Sequence, residues 1–167
     1  MRWGTICLAA GMLLALRVPS AAQYDDASSK PWSLTLGAFI PTSNYVAGVP
    51  SEDVGVTASL AYTLSQNDHE TILGRFRYSQ YKMKDDNSIQ LASPMVEYRV
   101  NLSSPTYLAL AVGAVLGHYE TGTSSTSLAF EVGVGWNVNN NLLLEGRLIR
   151  GSTVGEHGVA LSAGLRF

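Results

Sequence analysis

The chain has 167 residues, 46% of them hydrophobic and only 14% charged, with 11 basic residues against 13 acidic ones. This length suits one domain, and the acidic balance argues against a nucleic-acid binder. A soluble domain of this size usually carries about 25% charged residues, so the shortage argues against an ordinary water-facing surface.

Met1 and Arg2 open the chain with a positive region, Ile6 to Leu16 form an apolar run of 11 residues, and Val18-Pro19-Ser20-Ala21-Ala22 give a small-residue exit before Gln23. This is the layout of a secretory signal peptide. The apolar run is too short for a membrane-crossing helix, which needs about 20 residues. Cleavage is expected after Ala22, making residues 1–22 a signal peptide and 23–31 a short polar leader. The only cysteine, Cys7, lies in the segment to be removed, so the mature chain is expected without disulfide or lipid anchor. Removing two arginines and no acids leaves 9 basic residues against 13 acidic, a net charge of −4.

From Trp32 onward the chain alternates with period two. Val54, Val56, Ala58, Leu60, Tyr62 and Leu64 alternate with Gly55, Thr57, Ser59, Ala61 and Thr63. Leu128 to Val138 and Val159 to Phe167 follow the same rule. Such alternation marks strands. Weaker cases complete eight, over 32–40, 53–64, 70–82, 88–101, 106–119, 126–138, 141–150 and 157–167. Each has the length of a tilted membrane strand, about 9 to 11 residues, or slightly more. Turn residues separate them, among them Ser65-Gln66-Asn67-Asp68, Asp85-Asp86-Asn87 and Asn139-Asn140-Asn141. All neighbours can then be antiparallel. Pro94, inside the fourth strand, lacks a ladder donor and predicts a bulge.

The composition of the faces decides which one points outward. With the apolar face inward, the surface would be mostly Gly, Ala, Ser and Thr, unlike a soluble surface. With it outward, the strand charges Arg75, Arg77, Glu97, Arg99, Glu131, Glu145, Arg147 and Arg166 all fall on the interior. None of these then faces lipid, where a midplane arginine costs about 2 to 4 kcal/mol. Five aromatics provide an independent check. With the N-terminus in the periplasm, Trp32, Tyr62, Tyr98, Trp136 and Phe167 all face outward at one membrane edge, as an interfacial girdle. The predicted fold is all-β, an eight-stranded antiparallel transmembrane up-and-down barrel over 32–167.

With its signal peptide, eight strands and the final Val159-Ala160-Leu161-Ser162-Ala163-Gly164-Leu165-Arg166-Phe167, the chain resembles the OmpX, OmpA-barrel and opacity-type class of small outer-membrane proteins of Gram-negative bacteria. The resemblance implies residence in the outer membrane among its lipid and lipopolysaccharide, as a monomer. It also implies delivery by periplasmic chaperones and insertion by the barrel assembly machinery, with Phe167 as the assembly signal.

Candidate chemistry is sparse. His69 belongs to the turn Asn67-Asp68-His69-Glu70, where solvation is its plain role. His118 and His157 are placed at the outer rim near Glu120, Ser152 and Glu156. A lipid A-modifying hydrolase would need such a serine, histidine and acid set, but these residues lie on loops. Two histidines without supporting carboxylates give no metal site, and no cofactor is expected. Among the lumen charges, Glu131 is expected diagonally near Arg147, Arg75 or Arg77 near Glu97, and Arg166 beside the Glu145 and Arg147 strand. The structural role is a buried network that fixes register. The functional alternative is a narrow conduit for small anions, since five interior arginines face three glutamates. The longest outer loop, Pro41 to Glu52, carries Tyr45, Val46 and Val49. The expected function is an envelope-structural or surface-interaction role without evident catalysis. A narrow pore is the first alternative and a lipid A-modifying enzyme the distant one.

Overall fold

The computed structural model describes residues 30–42, 54–83, 87–103, 105–120, 122–152 and 157–167. The expected signal peptide, positions 23–29 of the leader, and Tyr45, Val46 and Val49 lie outside them. The strands are β1 (Trp32–Pro41), β2 (Gly55–Gln66), β3 (Glu70–Lys82), β4 (Ser88–Ser103), β5 (Thr106–Tyr119), β6 (Ser124–Asn137), β7 (Leu142–Gly151) and β8 (Gly158–Arg166). Each pairs antiparallel with the next, and β8 returns to β1, so the sheet closes into a barrel. Closure gives every strand two partners and leaves no edge, as a sheet in lipid requires. At the seam, the Trp32 N–H donates to the Phe167 carbonyl at 3.1 Å, and the Phe167 N–H donates back at 3.0 Å.

Burial is inverted relative to a water-soluble protein. Leu128 and Leu148 on the outer face are 60% and 63% exposed, whereas Glu97 and Glu131 inside are 0% and 1% exposed. A continuous apolar surface of this kind is stable only against lipid.

Two of the short turns share one device. The Asn67 side-chain oxygen accepts from the His69 and Glu70 amides at 2.9 and 2.8 Å. The Asn139 oxygen accepts from Asn141 and Leu142 at 2.8 and 2.7 Å. A short side-chain acceptor thus replaces backbone partners that a tight turn leaves unmade.

The expected bulge at Pro94 is corrected. Pro94 pairs with Phe76 in an unbroken β3–β4 ladder. Towards β5 the pairing lapses at Ser93 and Pro94 and resumes in the same register, from Ala92 opposite Leu116 to Met95 opposite Gly113. The missing donor therefore costs bridges on one side only, and flanking pairs hold the alignment. Gly113 serves this spot, because a Cβ there would overlap the Pro94 carbonyl and Met95. The register shifts fall instead between Thr63 and Ser65 and between Asn101 and Ser103. There β2 and β4 run past their expected ends, to Gln66 and Ser103.

Candidate functional site

The inward positions of the middle strands build a charged layer across the lumen. Period two places Arg75 and Arg77 on β3, Glu97 and Arg99 on β4, Glu131 on β6, and Glu145 and Arg147 on β7, all of them buried. Burying so many charges is tolerable only if each is paired.

Glu145 is the hub. Arg75 reaches it from β3, a strand that does not neighbour β7, through two parallel bonds, Nη1 to Oε2 and Nη2 to Oε1, each 3.0 Å. A guanidinium fork matches a carboxylate in this way, and the match fixes both groups. Arg99 Nη2 donates to Oε1 at 3.0 Å, and Arg147 donates through Nε and Nη2 at 3.1 Å each. The Tyr107 hydroxyl completes the set, donating to Oε1 at 2.5 Å.

Glu97 is ion-paired with Arg75, whose Nε lies 2.7 Å from Oε2, and its Oε1 accepts from Arg99 Nε at 2.5 Å and Arg147 Nη2 at 3.0 Å. Glu131 pairs with Arg77 and stands 3.5 Å from Arg147 Nη1. Hydroxyls take up further donors: Ser59 accepts from Arg75 at 3.2 Å and Ser93 from Arg77 at 3.3 Å. Four arginines thus face three glutamates in the layer.

Tyr107 was not singled out from the sequence, although its inward parity on β5 marks it. Its ring lies over Gly135, its cross-strand partner, where any Cβ would overlap the ring. That missing side chain lets the hydroxyl reach Glu145. The Arg99 guanidinium sits 4.5 Å from the ring centre on the aromatic face, adding a cation–π contact.

A second layer fills the lumen towards the loop end. Phe39, Tyr81, Met83, Ile89, Leu91 and Val115 form a buried apolar cluster, with the Phe39 and Tyr81 ring centres 5.5 Å apart. Sequence reasoning described the inward face as small or polar and missed this layer. Its signal was the inward parity of Phe39, Tyr81, Ile89 and Leu91 near the loop-side ends of their strands.

Arg166 stands apart from the charged layer. It lies beside the strand that carries Glu145 and Arg147, as expected, but at its short-turn end, opposite Asn141, whereas Glu145 pairs with Ser162. Its Nη2 donates to the Asn137 side chain at 2.5 Å, near the short-turn end of the lumen. Position along β8 explains this, because Arg166 lies four residues past Ser162.

Trp32, Tyr62, Tyr98, Trp136 and Phe167 are all exposed on the outer face, towards the end that carries the short turns. The Trp32 and Tyr62 ring centres are 4.7 Å apart. Tyr62 and Tyr98 do not end their strands, since Leu64 and Leu102 follow them on the outer face. His118 Nδ1 lies 3.4 Å from Ser124 Oγ, and Glu120 accepts from the Ser88 amide at 2.8 Å. Two strands separate β5, which carries His118, from β8, which follows His157. Glu156 lies outside the described residues. Among the described residues, no group of three or more metal-ligating side chains occurs.

The fold is similar to that of small outer-membrane barrels. Ail, the attachment invasion locus protein of Yersinia pestis, aligns with a TM-score of 0.56 at 18% identity, over 83% of this chain and 99% of that one. Neisserial surface protein A aligns at 0.53 and 19% identity, over 81% and 94% of the two chains. The N-terminal β-barrel domain of Pseudomonas aeruginosa OprF aligns at 0.52 and 15% identity, over 81% and 97%. Comparison with curated proteins gives no match. The apolar wall, charged interior and closed eight-stranded sheet are those of an integral outer-membrane β-barrel. Residues 3–167 match the model of the family described as "Putative MetA-pathway of phenol degradation", and the chain belongs to that family.

Proposed function

We propose that this protein is a sealed, non-catalytic barrel that serves the envelope through its outer wall and loop rim, not by passage through its lumen. The observation that carries this reading is the stacking of two filled layers, ion pairs below and apolar side chains above, across an eight-stranded cylinder. Barrels of this size leave little room that side chains do not fill.

Planar bilayers containing the purified barrel should show no steady conductance. A second reading, a narrow anion conduit, has the excess of one arginine in the charged layer in its favour. Steady conductance that loses its anion preference in Arg147→Ala would overturn the sealed lumen and establish the conduit.

A further inference from the structure

On β7 the outward positions run Leu142, Leu144, Gly146, Leu148 and then Arg150, so an apolar wall ends in a cation. Phe130 stands directly opposite Arg150 across β6–β7, and Val132 opposite Leu148. Across β7–β8, Ile149 pairs with Gly158, which places Arg150 and His157 one step further along the same ladder. The Thr42 amide donates to the His157 carbonyl at 3.0 Å. Phe130, Arg150, His157 and Thr42 therefore form one row across four adjacent strand ends.

This row caps a groove of about 630 Å³ on the outside of the wall, with Phe130, Val132 and Leu148 as its apolar lining. The groove lies at the loop end. Connections there span 42–54, 83–87, 120–123 and 152–157, against 67–69, 104–105 and 138–141 at the other end. Outer-membrane barrels keep short turns on the periplasmic side and longer loops outside, so the groove faces the outer leaflet.

We propose that it binds a phosphorylated acyl lipid of that leaflet, with the phosphate on Arg150 and His157 and a chain along Phe130, Val132 and Leu148. A guanidinium binds phosphate oxygens in pairs, and the cost of a lipid-facing cation falls towards the interface, where this one sits. The apolar wall directly beneath requires a ligand that is amphipathic and not a free anion. The site is on the outside of the barrel, so it goes beyond the sealed-lumen reading and stands whether or not the lumen conducts.

Native mass spectrometry of the mature barrel in detergent tests it, with lipid A as the probe, intact or stripped of its phosphates. The wild type should hold the intact lipid about tenfold more tightly, the scale of one charge-assisted contact. Arg150→Gln/His157→Gln should abolish that difference. Phe130→Ala should weaken both lipids alike. Lys82→Gln, which removes another outward cation at the loop end of β3, should change neither. Heat-modifiable mobility on gels checks folding first, and Arg150→Gln alone is read if the double variant does not fold. Equal retention of both lipids by the wild type would overturn the proposal, as would an equal loss in Lys82→Gln. Displacement by inorganic phosphate alone would overturn it too, by revealing a free-anion site.

Discussion

Glu131 holds two arginines, but not equally: Arg77 is its close partner, whereas Arg147 is 3.5 Å away and keeps Glu97 and Glu145 in any case. Glu131→Ala should therefore leave Arg77 as an uncompensated buried charge, at a cost of about 3 to 5 kcal/mol. In a water-filled lumen, solvent would replace the lost partner and the cost would fall to about 0 to 1 kcal/mol. Urea unfolding midpoints in lipid vesicles measure the difference. The compensating change is Arg77→Met, which removes the charge and keeps most of the side-chain length. Glu131→Ala/Arg77→Met should recover much of the loss, and Glu131→Ala/Arg147→Met should not, because Arg147 anchors two other glutamates. Strict additivity with Arg77→Met would show that the two groups do not act as a pair.

Among the elements, β8 has a double task. Its backbone closes the cylinder against β1, and the outward side chain that directly follows it, Phe167, is proposed to be read during assembly. The seam permits the two roles to be separated. Phe167→Asp retains the backbone pair with Trp32 and changes only the outward side chain, whereas deletion of Phe167 removes both. If the aromatic side chain is the signal, both variants should be exported normally yet insert poorly and appear as periplasmic degradation products. Normal yields of folded barrel from Phe167→Asp, with a defect only on deletion, would assign the effect to closure of the seam. The fourth strand teaches a related lesson about tolerance. Pro94 sits in its interior without shifting register, because an antiparallel residue directs its donor to one neighbour only and the other ladder remains whole.

For the whole molecule, the unequal connections at the two ends set the orientation. Cysteines at Val49 and Asp86, in the β1–β2 and β3–β4 connections, should react with an impermeant reagent on intact cells, and one at Asn67 should not. The reverse pattern would turn the barrel over and place the Arg150 groove in the inner leaflet. The sequence by itself determined the strand count, the antiparallel order and which face meets lipid. Alternation is a local property of an extended chain, and Val56 or Leu128 shows it without reference to any distant residue. Strand ends were less legible, since the shifts near Thr63 and Asn101 let β2 and β4 run on past their turn-like residues. The inward charges were legible as a set, but not their partners: Arg75 crosses from β3 to Glu145 on β7, and Arg77 goes to Glu131 on β6. Only the tertiary structure decided those pairs, together with the Phe39 and Tyr81 layer above them. They join strands that meet only across a closed cylinder, and the period along one strand carries no information about what stands on the opposite wall.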